Sequence, residues 1–401
     1  MPDLPVISPT TVSSYTATTL KPDFSRILTL DYENDYPFTT FQGQVPQEKA
    51  TGSKFNFFVG RRIPRTTTAA GAVTVGGSAG ATVTINVATG TGQYFSIGDL
   101  IFVPSAVFDS THTNRYIVTA ISTDALTVYP NDPAKIAQAI ADTATLYRFS
   151  MSIKEGSSGR APIQTVPTQY TQNIHTFEDY GRVNRQTNES ETWTMEREIL
   201  RVRNEKRIEH MQNIEAGSLF SDISEDRTVA GSNQNPRYTQ NGAFRLISTN
   251  AYTYSSAMSQ NGLYNFMAQV HRPGFTVGNM RLVFASMGAM NEFNKLFVGA
   301  LRIQPSEGTM SWGVNFTQIT YLGITWKFIL TQKISEIADG AALVVAPSLV
   351  SRKVLIPTEF RENVQNPKDN FLESGWISCN ALKLGLEEAN GLILPDTLVG
   401  L

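Results

Sequence analysis

The stretch between Asn188 and Gly217 reads NESETWTMEREILRVRNEKRIEHMQNIEAG. It contains no proline and no internal glycine, so no helical hydrogen bond is lost between its ends. Asn188 followed by Glu191 is typical of a capping box, and Gly217 is the residue type that favours the left-handed position after a helix. The stretch therefore predicts one helix over residues 188–216, roughly 40 Å long at about 1.5 Å per residue.

The surface of this predicted helix is mostly charged. Its apolar side chains form a narrow stripe, which suits a helix that lies across a sheet or faces neighbouring subunits. Arg201 follows Glu198 by three residues and precedes Glu205 by four, so both carboxylates are within reach of its guanidinium. His210 lies among charged residues and is predicted to be at the surface. A simple solvated surface helix is the alternative.

The composition argues against several classes of protein, among them basic nucleic-acid-binding proteins, disulfide-rich proteins and membrane proteins. The 401 residues give room for more than one domain with an ample core. Lys and Arg number 33 against 35 Asp and Glu, so no basic excess drives nucleic-acid binding. A single cysteine, Cys379, excludes an intrachain disulfide. No apolar run approaches the roughly 18 residues of a membrane span, and the N-terminus lacks signal-peptide features, so we expect a soluble protein made in a cytoplasm.

The N-terminal part of the chain lacks sustained periodicity. Residues 1 to about 30 are rich in Pro, Ser and Thr, which predicts a frayed terminus or an arm extended along a partner. The sequence KFNFFV at 54–59 is typical of a strand. Arg61, Arg62 and Arg65 follow it, and such a cluster suits carboxylate or phosphate pairing, with a solvated turn as the alternative.

Residues 66–145 differ in character from the rest. They are rich in Gly, Ala, Thr and Val, and residues 82–87 alternate with a period of two. The segment 115–129 is typical of a hairpin. We expect a small all-β domain inserted here and a strand at 146–153. If that strand pairs with residues 54–59, a two-stranded ribbon closes the insertion at its base.

The part of the chain after the long helix alternates helices with buried strands. Residues 259–270 predict an amphipathic helix, 282–285 a buried strand, and Ser286 an N-cap for a helix over 287–298. This pattern indicates a mixed α/β subdomain over 243–350. The remaining residues predict return strands and a short tail.

The sequence offers little for catalysis. Its four histidines stand without ligand-spaced partners, and one cysteine cannot build a zinc site. No nucleophile elbow and no dinucleotide-binding fingerprint occurs. We therefore predict a protein that is not an enzyme and has no catalytic, cofactor-binding or metal-binding residues. An enzyme with Glu and His residues that meet in a cleft is the alternative.

The order of the predicted elements resembles a known family. An arm, a long two-stranded loop, an uninterrupted charged helix, a mixed subdomain and return strands follow one another, as in the major capsid proteins of tailed bacteriophages. Encapsulins and the herpesvirus capsid floor share this fold. Local sequence is similar as well, at Tyr36-Pro37-Phe38, at Ile63-Pro64-Arg65, and at residues 173–177 before the helix.

The resemblance implies an α+β protein of the HK97-type capsid fold. The implied parts are an N-terminal arm at 1–45, an E-loop region at 46–170 with the all-β insertion at 66–145, a peripheral domain at 171–242 with a spine helix at 188–216, an axial domain at 243–350, and return strands with a C-terminal tail at 351–401. The expected inter-subunit contacts are Phe55, Phe57, Phe58, Arg61, Arg62, Arg65, Glu198, Arg201 and Glu205.

The implied function is self-assembly. Copies of the chain would form hexamers and pentamers of an icosahedral head that encloses double-stranded DNA without sequence specificity. The implied location is the virion, assembled in the host cytoplasm and without a membrane. A portal protein, with scaffolding and decoration proteins, would be further partners. The alternatives are an encapsulin-like nanocompartment shell, or a tail or adhesin protein whose β domain binds a ligand.

Overall fold

A computed structural model describes residues 36–60, 63–74, 76–104, 110–155, 165–189, 198–226, 236–271, 278–297, 317–321 and 323–398. The chain divides into two compact units. We call residues 1–57 with 171–401 the main unit, and residues 58–170 the second unit.

The helices are α1 Pro37–Gln44, α2 Arg185–Glu189, α3 Glu198–Phe220, α4 Ala243–Leu246, α5 Gln260–Val270, α6 Met287–Phe297 and α7 Gln332–Ile337. The strands up to the long helix are β1 Gln47–Lys49, β2 Lys54–Val59, β3 Thr66–Thr68, β4 Val83–Asn86, β5 Asp99–Phe102, β6 His112–Thr113, β7 Arg115–Ser122, β8 Ala125–Pro130, β9 Ile136–Ala137, β10 Thr145–Met151, β11 Thr168–Asn173 and β12 His175–Asn184. Those after it are β13 Ser224–Asp226, β14 Arg237–Thr239, β15 Ala251–Tyr254, β16 Met280–Ala285, β17 Thr317–Tyr321, β18 Ile324–Leu330, β19 Ala342–Val345, β20 Val350–Arg361, β21 Phe371–Leu384 and β22 Gly391–Pro395.

The main unit contains a four-stranded sheet in the order β1-β20-β21-β12. β20 and β21 form a long antiparallel hairpin, and every residue of β12 pairs with β21, from His175 opposite Asn380 to Asn184 opposite Phe371. α3 packs on this sheet through β12 and β21. The predicted long helix is therefore present as a helix laid across a sheet.

Both predicted ends of that helix are wrong. Asn188 lies in α2, and its Oδ1 accepts a hydrogen bond from Ile199 N at 3.3 Å, so it caps α3 across eleven residues of chain. The residues between α2 and α3 lie outside the described ranges. Gly217 lies inside α3. The ring of Phe177 packs against it, and a Cβ at this position would lie only 2.8 Å from Phe177 Cε1. This glycine permits a close contact within the helix, and α3 continues to Phe220.

A six-stranded sheet forms the other layer of the main unit, in the order β15-β22-β19-β16-β18-β17. It mixes parallel and antiparallel pairs. Alternate residues of β16 belong to hydrophobic clusters on opposite faces of the sheet. Leu282 and Phe284 pack with α1, α4 and α7. Val283 and Ala285 pack with α5 and α6. This is the expected alternation of a strand buried on both faces. The unit is thus a mixed α and β structure with two helical layers around a sheet.

The predicted helices in this region are confirmed. The Ser259 side chain accepts from Gly262 N at the start of α5, and Ser286 Oγ accepts from Ala289 N at 3.1 Å in the first turn of α6. The chain ends differ from expectation. Residues 37–44, predicted within an arm, form α1, with Phe38 and Phe41 buried in the core. Residues 391–395, predicted within a tail, form β22 between β15 and β19, because their apolar side chains fill a central strand.

The second unit has a six-stranded antiparallel sheet in the order β3-β10-β5-β7-β8-β4. The predicted hairpin is present as β7 and β8, with Thr123 at φ 52 in its turn. β10 lies between β3 and β5, so the pairing considered between 146–153 and residues 54–59 does not occur. β2 instead pairs with β11 in a separate two-stranded sheet.

Candidate functional site

α3 approaches the four-stranded sheet closely. Opposite Val202, β12 carries Gly181, where a Cβ would lie only 2.3 Å from Val202 Cγ1. A residue with a side chain at this position would therefore push the helix away from the sheet. The side of α3 that faces the sheet follows the four-residue spacing Val202, Lys206, His210, Ile214.

A buried polar network lies at the middle of this interface. His210 is fully buried, and its Nδ1 lies 2.6 Å from Asp179 Oδ2 on β12. Its Nε2 lies 3.0 Å from Ser378 Oγ on β21. Asn213 Nδ2 donates to the other oxygen of Asp179 at 2.8 Å. The prediction that His210 lies at the surface is wrong, because it shares the inward side of the helix with the buried Ile214.

The hydrogen-bond order of this network is that of a nucleophilic triad, with serine, histidine and carboxylate in sequence. Ser378 is fully buried in the middle of β21. No substrate carbonyl can reach its hydroxyl, so the arrangement fastens α3 to two strands and provides no nucleophile. One signal in the sequence could have placed His210 correctly. Ile214 follows it by four residues, so the two side chains lie on the same side of the helix.

The carboxylate of Glu215 joins α3 to α1. It is fully buried, and it accepts hydrogen bonds from Thr39 N at 2.7 Å and Phe38 N at 3.3 Å. These are N–H groups of the first turn of α1, which have no partner within their own helix. A negative charge at a helix N-terminus is also favoured by the helix dipole. The first residues after Pro37 are therefore held by a residue far along the chain, which sequence reasoning did not find.

The predicted charge pairs of α3 are present within the helix itself. Arg201 Nε lies 3.1 Å from both carboxylate oxygens of Glu198, and its Nη1 lies 3.4 Å from Glu205 Oε2. Arg203 places its guanidinium carbon 3.8 Å from the centre of the Phe360 ring on β20. Exposed pairs of this kind contribute only a few tenths of a kcal/mol each, so their main effect is to order the side chains.

The predicted contact residues of β2 differ in exposure. Phe55 packs against the core near Ile174, with Lys353 Nζ 5.8 Å from its ring centre. Phe57 is mostly buried, whereas Phe58 is 67% exposed. Arg65 is exposed. The other two predicted arginines, Arg61 and Arg62, lie outside the described residues.

Glu48 ties β1 to the long hairpin. Its carboxylate oxygens lie 2.6 Å from Lys353 Nζ and 2.8 Å from Lys383 Nζ. Hydrogen bonds from Lys353 and then Lys383 lower the pKa of Glu48 to about 2. No sequence motif indicated this contact, because the three residues come together only through the pairing of β1 with β20 and of β20 with β21.

Replacing Glu48 by glutamine is expected to lower the free energy of unfolding by about 1 kcal/mol at neutral pH. The Glu48 side chain is 39% exposed. Because solvent screens its charge, the change in the free energy of unfolding is much smaller than the shift of its pKa would give. Since the folded-state pKa is depressed, this contribution is present above about pH 4.5 and is lost as the pH falls toward about 2. Urea unfolding at pH 7 and pH 3 measures it, and an equal effect at both pH values would contradict it.

Several large apolar side chains of the second unit are exposed along β10 and the residues next to it. We define the β10 patch as Ile97, Tyr147, Phe149, Met151 and Ile153, whose exposed fractions run from 42% to 64%. Ile97 joins the others because Ser152 N donates to the carbonyl of its neighbour Gly98 at 2.7 Å. An exposed apolar patch on a folded unit is typical of a surface that another molecule covers.

The described residues show no group of three or more His, Cys, Asp and Glu side chains that could hold a metal ion. None of the helices in the described ranges is long and apolar enough to cross a membrane.

Comparison with known proteins gives structural similarity only. No family model matches the sequence, and no curated protein does. A structure of Microbacterium phage Oxtober96 aligns with a TM-score of 0.46 and 10% identity over 97% of this chain and 99% of that chain. The capsid of Myoviridae phage XM1 aligns with a TM-score of 0.42 and 8% identity over 93% and 96%. The SrpI encapsulin complex from Synechococcus elongatus PCC 7942 aligns with a TM-score of 0.38 and 14% identity over 60% and 79%. The alignments with the two phage structures extend along nearly the whole of this chain.

Proposed function

We propose that this chain is a structural subunit that associates with copies of itself into a closed shell, the head of a tailed bacteriophage. The observation that carries the proposal is the β10 patch. Burying apolar surface at a subunit contact contributes roughly 25 cal/mol per Å², and obligate contacts bury thousands of Å². Four of these side chains lie within residues 147–153 and Ile97 lies next to that segment, so their burial between copies of the chain would add this stability.

The charge of the chain suits such an assembly. Its formal net charge is −2, so many copies can pack side by side without strong mutual repulsion. A near-neutral surface also suits enclosed double-stranded DNA, since a strongly basic inner wall would bind the phosphates tightly. In this proposal the subunits form hexamers and pentamers, and the head meets a portal protein, scaffolding and decoration proteins. The particle is assembled in the host cytoplasm and no catalysis is assigned to the chain.

Two charges placed in the β10 patch are expected to abolish shell formation. In the double variant Phe149→Glu, Ile153→Glu, the carboxylates would have to be buried without partners at the contact, which is costly. Both side chains are half-exposed in the subunit, so its melting temperature should stay close to that of the unmodified chain. Electron microscopy and sedimentation velocity of the purified full chain measure the outcome.

The matched control is Ser150→Glu, Ser152→Glu, which adds the same charge at exposed neighbouring positions. It should still form closed particles. Shells of unchanged stability in the Phe149, Ile153 variant would refute the assigned role of the patch. If the unmodified chain gives only discrete small oligomers, a tail or adhesin protein is the better assignment. Particles from producing cells that protect no DNA from nuclease would instead support a nanocompartment.

A further inference from the structure

Arg352 is a buried cation to which the described residues supply no carboxylate. It lies near the start of β20, directly opposite Leu382 of β21, so the two side chains share one face of the four-stranded sheet. Leu382 belongs to the hydrophobic core on that face, and Arg352 itself is only 9% exposed. Its Nε is fully buried and has no hydrogen-bond partner in the part of the chain that the structure describes.

A guanidinium in such a place is unfavourable without an anion. Burial lowers the pKa of Arg352 below its ordinary value, and no charge on the described residues opposes that shift. The cost of removing an ionised group from water is recovered only when an opposite charge and hydrogen bonds replace the water. A carboxylate suits this group best, because its two oxygens accept from two parallel N–H donors of one guanidinium.

Two carboxylates of this part of the main unit are already engaged. Glu48 lies opposite Lys353 and therefore on the other face of the sheet, where Lys353 and Lys383 both bind it. Glu215 is fully buried, but it accepts hydrogen bonds from N–H groups at the start of α1 and forms no ion pair with Arg352. Glu48 thus has two cations of its own, and the charge of Arg352 is not balanced by either carboxylate.

Arg352 lies next to a solvent-exposed edge of the sheet. On the side away from β21 it pairs with Gln47 of β1, which is the edge strand. Gln47 is exposed, and as a direct partner it lies on the same face as Arg352. Arg352 N donates to Pro46 O at 3.1 Å, which holds the start of β1 beside it. An anion from solvent can therefore approach Arg352 from the β1 edge.

We propose that Arg352 binds one carboxylate that comes from outside the subunit. The carboxylate accepts two hydrogen bonds from the guanidinium and neutralises its charge at the border of the core. It belongs either to a small free organic acid or to an aspartate or glutamate of another copy of the chain. Binding of a free acid does not depend on the proposed shell function, whereas the second source rests on it.

The first experiment measures urea unfolding over a tenfold range of sodium acetate concentration, where sedimentation shows single subunits. It compares the unmodified full chain with Arg352→Met, whose side chain has no cation. A ligand that binds only the folded state raises the folding constant in proportion to its concentration once the site is filled, so the unmodified chain should gain about tenfold. The Arg352→Met variant should gain nothing. General effects of salt act on both proteins and cancel in the ratio of their folding constants.

Two further variants make this comparison specific. Arg245→Met removes an exposed cation that pairs with Asp222, so it should keep the acetate response of the unmodified chain. Arg352→Lys keeps the charge but loses the two parallel donors, so it should need more acetate for the same gain. It provides the comparison even if Arg352→Met does not fold. A full acetate response in either Arg352 variant would overturn the proposal.

The second experiment distinguishes a carboxylate of another copy from a free acid. Without acetate, particles of Arg352→Met should dissociate more readily in urea than unmodified particles, with association weakened roughly tenfold or more. Light scattering measures this. If acetate does not stabilise the unmodified subunit and the two kinds of particle are equally stable, Arg352 binds no carboxylate. If the unmodified chain forms no particles, the shell function fails, and the acetate response alone decides whether Arg352 is a carboxylate site.

Discussion

Glu215→Ala is expected to lower the free energy of unfolding by about 3–5 kcal/mol. The substitution removes the acceptors of Phe38 N and Thr39 N, both at buried positions. A buried donor left without a partner costs about 1–3 kcal/mol, and the small side chain also leaves a cavity. The start of α1 should detach from α3 first. Urea unfolding followed by circular dichroism measures the total effect.

Two further variants separate the cap from general damage to α3. Glu215→Gln keeps one oxygen acceptor of the same size, so its effect should be clearly smaller than that of alanine. Glu209→Ala removes a partly exposed carboxylate of the same helix and should change the stability by less than about 1 kcal/mol. Ordinary helix caps contribute ~1 kcal/mol to the free energy of unfolding. If Glu215→Ala lowers the free energy of unfolding by no more than that, the buried carboxylate stabilises the start of α1 no better than an ordinary cap.

Acidification is expected to destabilise the fold through His175 by about 3 kcal/mol. Burial, and then the nearby charge of Arg237, lower the pKa of His175 from 6.5 to about 4. The folded state therefore binds this proton less readily than the unfolded state. The contribution is fully present above about pH 6.5 and is lost as the pH falls toward about 4, at about 1.4 kcal/mol per pKa unit.

The variant His175→Phe tests this effect, because a neutral ring can keep the stacking on Phe177, whose ring centre lies 4.0 Å from that of His175. Unfolding free energies at several pH values between 4 and 7.5 should fall less steeply in the variant than in the unmodified chain. Equal slopes in the two proteins would contradict the assignment. The window lies above that of Glu48, so the two effects can be separated by pH.

The sequence predicted the presence of α3 because an uninterrupted charged stretch without proline has few alternatives to a helix. It misplaced both ends, since Asn188 caps from eleven residues away and Gly217 serves a contact with Phe177. Capping rules apply to neighbours in sequence, and these two residues act through the tertiary fold. The hairpin of β7 and β8 was predicted correctly because its turn is local.

The polar contacts of the site were beyond sequence reasoning for the same reason. His210 and Glu215 look like two more charged positions on a solvated helix until β12 and α1 are placed beside them. A helical projection that counted His210 with Ile214 would have moved it inward. Nothing in the sequence pairs Glu215 with the start of α1, because 176 residues separate it from Thr39.

α3 has a further consequence for how the main unit carries mechanical load. At one end Arg203 lies over Phe360 of the hairpin, and at the other Leu219 is packed in the core beneath the six-stranded sheet. About 24 Å of unbroken helix joins these two points. We therefore expect α3 to act as a stiff connection between the hairpin and the core of the six-stranded sheet when the hairpin is pulled.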